Sequence, residues 1–462
     1  MALSNILDAL NFGLESDNFE DPESKSHDVK ITELNDEDDN DVPAGGLVDA
    51  EIAEINVEAD ELREDGDKAE RAHAALESLY TVLEASLEEG GLTPQAARIA
   101  GLFADQYAAE SLDESPIASQ EAFGGSCSSF KATQISMESV GDALKKVWAT
   151  IVAILKKLGA FLGEAFNKIT FAAQRLEGRA AKLAKAAADA RRLPAKGKVD
   201  IGGRSLLFIN GQYDANGARD LEYACRTVWT DYPKAVHQYL GAINRIGDMI
   251  KAKPGSAYTI ARGLNVSQNF ARIGKPLAGS NVPFNREGAA VFKTQDFPGD
   301  YAIYTVLPNF ADESGTDTSK IKASTGLHFL RNPQAKTPES FELPNPAATE
   351  IYKNASTILK AVKNITGAKT TAKELQNDLT KAIAGFDQAR EDSFEEDARK
   401  DAAVVRTMIQ GLRGLIGKQY TGTQLHMLRC IGAQLQLYKE QLKGLGAKVD
   451  DTVDNNKLLG HD

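Results

Sequence analysis

Residues 139–169 read SVGDALKKVWATIVAILKKLGAFLGEAFNKI, and the fold class turns on this stretch. Apolar side chains fall at Val140, Leu144, Val147, Trp148, Ile151, Leu155, Leu158, Phe161, Leu162, Phe166 and Ile169. Steps of three and four place them on one side of an α-helix. No proline interrupts the chain from Ser139 to Leu193. Lys145-Lys146 and Lys156-Lys157 lie eleven residues apart, close to three helical turns, so the two pairs share another face. Gly159 and Gly163 predict a bend or break, because glycine costs about 1 kcal/mol inside a helix. A basic, amphipathic helix carrying a tryptophan suits a packed bundle or an interfacial position at a membrane. Arg175, Arg179, Lys182, Lys185, Arg191 and Arg192 extend the basic character. They could touch phosphates or form a plain solvated surface. Without interleaved aromatics they would not read sequence.

Toward the C-terminus, proline usage maps the fold. Eleven of fifteen prolines lie between Pro194 and Pro346, and none follows. Between them Ser205–Ile209, Val291–Thr294 and Tyr301–Leu307 are short strand-forming runs. Residues 213–252 interrupt them with a helical pattern at Val236, Tyr239, Leu240, Ile243 and Ile246. Beyond Pro346 four helical stripes recur. They are Ile351, Ile358, Leu359, Val362 and Ile365; Leu375, Leu379, Ile383 and Phe386; Val405, Met408, Ile409, Leu412 and Leu415; and Leu425, Leu428, Ile431, Leu435 and Leu442. Gly417 and Gly422 fit the break between the last two. The fold class predicted is mainly α with a smaller β-containing insertion, an acidic helical and disordered front section preceding a helical bundle.

Toward the N-terminus, residues 111–138 are rich in serine, glycine and small side chains and read as an exposed linker, which a protease cleft can grip. Residues 47–110 carry a stripe of Leu76, Leu79, Tyr80, Leu83 and Leu87. Gly90-Gly91 ends it, and Thr93-Pro94 starts a second helix. Residues 15–45, with the run Asp36-Glu37-Asp38-Asp39-Asn40-Asp41, should be disordered. Residues 4–14 have one short apolar helix face. The division expected is 1–138, an acidic propeptide; 139–193, a basic amphipathic segment; 194–346, a mixed β/α insertion; and 347–462, a helical bundle.

Charge separates these parts sharply. The net charge of the chain is −13, yet residues 1–138 hold 33 acids against 7 bases, a net of −26, leaving +13 for the remainder. A reversal of this size argues for two jobs in one chain. Three scattered cysteines, Cys127, Cys225 and Cys430, suggest a reducing compartment and no disulfide framework. No secretory signal or membrane span is expected. The six histidines form no metal-ligand pattern, and Gly202-Gly203-Arg204-Ser205 lacks the ending of a phosphate loop. The chain is therefore expected to be no enzyme and to need no metal or cofactor. An unfamiliar site within 195–345 is the remaining enzymatic reading.

Ser136-Met137-Glu138 precedes Ser139, and Ser119-Gln120-Glu121 precedes Ala122. With the acidic front section and the start Ala143-Leu144-Lys145-Lys146-Val147-Trp148, this arrangement resembles the internal head, or inner-body, proteins of giant phiKZ-like tailed bacteriophages. The likeness lies on the front section and roughly 139–170. It implies a structural precursor from which a capsid-maturation protease removes an acidic propeptide after a small-x-Glu motif, leaving a basic body packaged with DNA. Glu138, where linker, charge reversal and helix start meet, is the first candidate for the cut, and Glu121 the second. The partners implied are that protease, other internal head proteins and, nonspecifically, DNA, with Lys145, Lys146, Lys156, Lys157, Arg175, Arg179, Lys182 and Lys185 as phosphate contacts. The location implied is inside the virion capsid after assembly in the host cytoplasm. An alternative is a cargo protein ejected into the host, acting on a membrane or host factor through the basic helix.

Overall fold

The computed structural model describes residues 47–112, 128–252, 257–264, 266–277, 289–308, 325–390 and 396–449. The helix expected at 4–14, the disorder expected at 15–45 and the candidates Ser119, Gln120, Glu121 and Ala122 lie outside the described residues. The chain divides into two compact units. The described part of the first is 58–112 with 128–158, and that of the second is 47–57 with 159–449.

The first unit is built from α1 (Leu47–Glu88) from Glu58 onward, α2 (Pro94–Leu112) and the N-terminal half of α3 (Ser129–Asp189). Helix α1 ends as its glycines require. Gly90 and Gly91 adopt φ of +101° and +90°, the left-handed region that only glycine enters freely, and the Gly91 amide donates to Ser86 O at 2.8 Å. The Thr93 hydroxyl accepts the Ala96 amide at 3.3 Å, and Pro94 occupies the first turn of α2, where its missing N–H costs nothing. Ser128 begins α3 in the same way, its hydroxyl accepting the Lys131 amide at 3.4 Å.

Paired contacts fix how the three helices run. His73 meets Trp148 edge-on, with centroids 6.0 Å apart, and a Cβ on Gly91 would stand 2.6 Å from Ser129 O. Helix α1 is thus antiparallel to α3. The Leu92 amide donates to Thr133 Oγ1 at 2.6 Å, Ser136 bonds to Ala97, and a Cβ on Gly101 would stand 4.0 Å from Ser139 Oγ. Helix α2 therefore runs parallel to α3.

Two expectations fail here. Residues 129–137, read as linker, are the first turns of α3, so the linker reading of 111–138 does not hold across the junction. Gly159 and Gly163 do not break the helix, which runs on to Asp189. A Cβ at Gly159 would meet Gln376 Cγ at 3.7 Å and Leu379 Cδ2 at 3.8 Å. These are ordinary van der Waals distances to α8 (Lys369–Arg390), and a propensity cost of about 1 kcal/mol per glycine is small beside the burial of the apolar stripe that runs on through Ile169.

In the second unit the C-terminal half of α3 is followed by β1 (Lys198–Asp200), β2 (Phe208–Ile209) and β3 (Gln212–Tyr213). Then come α4 (Gly217–Arg226), a π-helical turn at Thr227–Asp231, α5 (Tyr232–Ala252) and α6 (Ala257–Leu264). Strands β4 (Lys275–Leu277), β5 (Ala289–Lys293), β6 (Tyr301–Pro308) and β7 (Gly326–Arg331) form an antiparallel meander in chain order. Within it Val291 lies opposite Val306. After β8 (Glu342–Pro344), which pairs with β1, follow α7 (Ala348–Gly367), α8, α9 (Glu396–Ile416) and α10 (Lys418–Gly444). Helix α4 packs on α7, α5 on α8, and β7 on both α9 and α10. Tyr232 donates to Leu415 O at 2.8 Å and Tyr420 to Val228 O at 3.1 Å, the two rings stacked 5.2 Å apart.

The β-containing segment and the C-terminal helices consequently share one core, and neither 193/194 nor 346/347 separates compact units. Of the three strand runs, 291–293 and 301–307 are strands, Thr294 falling just past β5, while Ser205–Leu207 is a 3-10 turn ahead of β2. The predicted class, mainly α with a small β part, is the one observed.

Candidate processing junction and basic helix face

The junction chosen from sequence is Ser136, Met137, Glu138 and Ser139. All four lie within α3, and Ser136 is wholly buried. Its hydroxyl donates to Ala97 O on α2, with Ala132 O, one turn back, at 3.2 Å. Thr133 is also buried, its hydroxyl donating to Ser129 O at 2.9 Å while accepting the Leu92 amide. Ala132, Ser136, Val140 and Ala143 recur at helical spacing and are all buried, so small side chains let α2 approach closely. Glu138 alone of the motif is exposed. A protease would find the glutamate but not an extended backbone, and gripping it requires several turns of α3 to open.

The lysine pairs behave differently. Lys145, Lys146, Lys156 and Lys157 are all exposed on α3, as their spacing predicts. Lys145 is tied to Asp142 at 2.9 Å. Lys146 acts on Asp105 of α2, whose carboxyl is raised by burial and partly drawn back down by the ammonium. In the second unit Lys182 and Lys185 are exposed, whereas Arg175 and Arg179 are only half-exposed. The Arg175 guanidinium lies 4.4 Å from the Phe171 ring centroid, so it is committed to its own helix rather than presented outward. Arg191 likewise covers the Tyr352 ring, at 4.7 Å. Six of the eight basic candidates are thus presented on the helix surface.

The chemical cluster that sequence reading missed surrounds His426 and Cys430 on α10. Their spacing of one turn was visible, but the group they meet, Pro298, lies far away in the chain. His426 Nε2 donates to Pro298 O at 2.7 Å, and Cys430 Sγ stands 3.3 Å from that nitrogen. Tyr301 and Phe329 flank the imidazole, with ring centroids 4.5 and 5.1 Å from it. Burial pulls the histidine down to about 4, helped by Arg429 and Arg331. Gly299, at φ +86°, passes so close that a Cβ would stand 2.8 Å from His426 Cε1. A thiol beside an imidazole can be a nucleophilic pair. Here both are buried, and the imidazole proton is spent on a carbonyl, so the pair ties α10 to the turn before β6.

A cavity of about 20 Å³ is lined by Leu162, Phe166, Trp229, Pro233, Leu375 and Tyr420 among others. It is large enough for a water but not for a substrate. Among the described residues no three His, Cys, Asp or Glu side chains converge as a metal site. No described helix is long and apolar enough to cross a membrane.

The family profile of phiKZ-like phage internal head proteins matches residues 48–439. The match covers α1 through almost all of α10, including the β-containing middle that no motif singled out. No curated protein and no solved structure matches the chain. A match over this span makes the chain a member of the phiKZ-like phage internal head proteins, structural components carried inside the phage capsid.

Proposed function

We propose that the chain is made as a precursor, in the host cytoplasm, and that a capsid-maturation protease cuts its acidic front from the basic remainder. The observation that carries this reading is the division of charge. A cut after Glu121 separates 32 acids and 6 bases, a net of −26, from a remainder of +13. This partition equals the one at Glu138, but Glu121 falls between α2 and α3, where scission breaks no described helix. Buried Ser136 and the continuity of α3 argue against Glu138. The acidic section serves co-assembly with other internal head proteins and opposes early contact with phosphates. The basic remainder then tolerates packaged DNA, making nonspecific contacts through the exposed lysines of α3.

The test is DNA binding as a function of salt, comparing the whole chain with chain that has been cut and stripped of its front section. The stripped form should bind random-sequence duplex DNA more tightly, with an affinity that falls steeply as salt rises. Equal, salt-insensitive binding by both forms would defeat the reading. The alternative, an ejected protein acting on a host membrane through α3, needs the apolar face of that helix to be free. In the intact chain Val140, Val147, Trp148 and Ile151 are buried, which favours the structural reading.

A further inference from the structure

We infer that the α1–α2 hairpin is a noncovalent partner of α3, so that cutting the chain between them leaves the hairpin bound. The inference deepens the processing reading by making scission and unmasking separate events, but its physical basis is the geometry of the first unit alone. Contacts between hairpin and α3 are spread along the interface rather than gathered at the connection. Gly91 meets Ser129 near one end, where a Cβ would stand 2.6 Å from a backbone oxygen. Leu92 and Ala97 exchange hydrogen bonds with Thr133 and Ser136, and His73 lies against Trp148 farther along. The donors and acceptors concerned are buried, so separation leaves them without partners until water enters. Apolar surface follows the same line, with Leu76, Leu79 and Leu83 fully buried on α1, and Val140, Val147 and Trp148 on α3.

The covalent connection contributes only effective concentration, on the order of millimolar for a short tether. An interface of this length holds without it at micromolar protein. Scission would therefore not by itself complete the charge reversal, because α1 and α2 keep their carboxylates beside the lysines of α3. Departure of the hairpin, which uncovers the apolar side of α3, is a second step.

The experiment uses the full chain with a recognition sequence for a site-specific protease inserted between Leu112 and Ser128. After complete cutting at about 10 μM, well below the millimolar effective concentration of a tether, the two pieces are run together on size-exclusion chromatography. Co-elution of nearly all of the front piece is expected. The substitution Ser136→Arg, which puts a charged side chain against Ala97, should release most of the front piece after cutting. Circular dichroism of the uncut variant checks that the helices persist. Separation of the cut wild-type pieces would overturn the inference, as would full retention by cut Ser136→Arg protein. Because the cut is engineered, its outcome is independent of whether a phage protease acts on the native chain.

Discussion

Cleavage after Glu138 should be strongly suppressed in the folded protein, and the structure allows the suppression to be worked out. A protease that cuts after glutamate must draw residues on both sides of Glu138 into an extended form, opening α3 from about Ala132 to Ala143. That exposes Val140 and the methyl groups of Ala132 and Ala143, all buried. At about 0.8 kcal/mol per buried methyl-sized group, and about 2 for the valine, this costs roughly 3.5 kcal/mol. It also breaks the buried bonds from Leu92 to Thr133 and from Ser136 to Ala97, worth about 1 kcal/mol each. The sum is about 5.5 kcal/mol, or roughly ten thousandfold in the open population. The assay is limited digestion with a glutamyl endopeptidase, the cut after Glu138 being timed by mass spectrometry. A synthetic peptide of residues 130–147 serves as the open reference. Cutting should be about a thousandfold or more slower in the protein. A rate within tenfold of the peptide would refute the reasoning, because α3 would then not be held shut at this junction.

Three further outcomes follow from the same structure. His426 titrates near 4 in the fold against about 6.5 when unfolded, so its neutral form is favoured and stability is full above 6.5. Stability should fall between pH 6.5 and 4 by up to about 3 kcal/mol, measured by denaturant unfolding, and His426→Gln should flatten that dependence. Gly299→Ala places a methyl 2.8 Å from His426 Cε1 at a left-handed φ and should cost about 2–3 kcal/mol in the same unfolding assay. Replacing Lys145, Lys146, Lys156 and Lys157 with alanine should reduce the salt slope of DNA binding by the stripped chain, by about 0.9 for each phosphate that a lysine no longer neutralises. An unchanged slope would show that DNA touches another surface.

The C-terminal helices were legible because burial there follows helical period. Val405, Met408, Ile409, Leu412 and Leu415 are all buried, as are Leu425, Leu428, Ile431, Leu435 and Leu442. Gly417 breaks the chain between them, since the Cβ of any other residue there would stand 2.6 Å from Arg413 O. Gly422 sits inside α10 without ending it.

The junction was misread for a definite reason. Ser128, Ser129, Thr133 and Ser136 have the composition of a linker, but a hydroxyl that bonds one turn back along its own helix is compatible with close packing. The signal that could have corrected the reading is the stripe Ala132, Ser136, Val140, Ala143, which continues the helical period of 139–169 backward across the charge boundary. Strand β7 escaped notice because Gly326–Arg331 has little alternation, and its identity comes from pairing with β6. The His426 cluster depends on a carbonyl 128 residues away, which no local pattern reveals.

The central claim is that this internal head protein loses its acidic front by a cut that spares α3. The most direct measurement is the N-terminus of the chain extracted from purified mature particles, read by terminal labelling and mass spectrometry. The account predicts a new N-terminus at Ala122, ahead of an intact Ser128 cap. A chain beginning at Ser139, inside α3, or one still joined to its first residue, would contradict it.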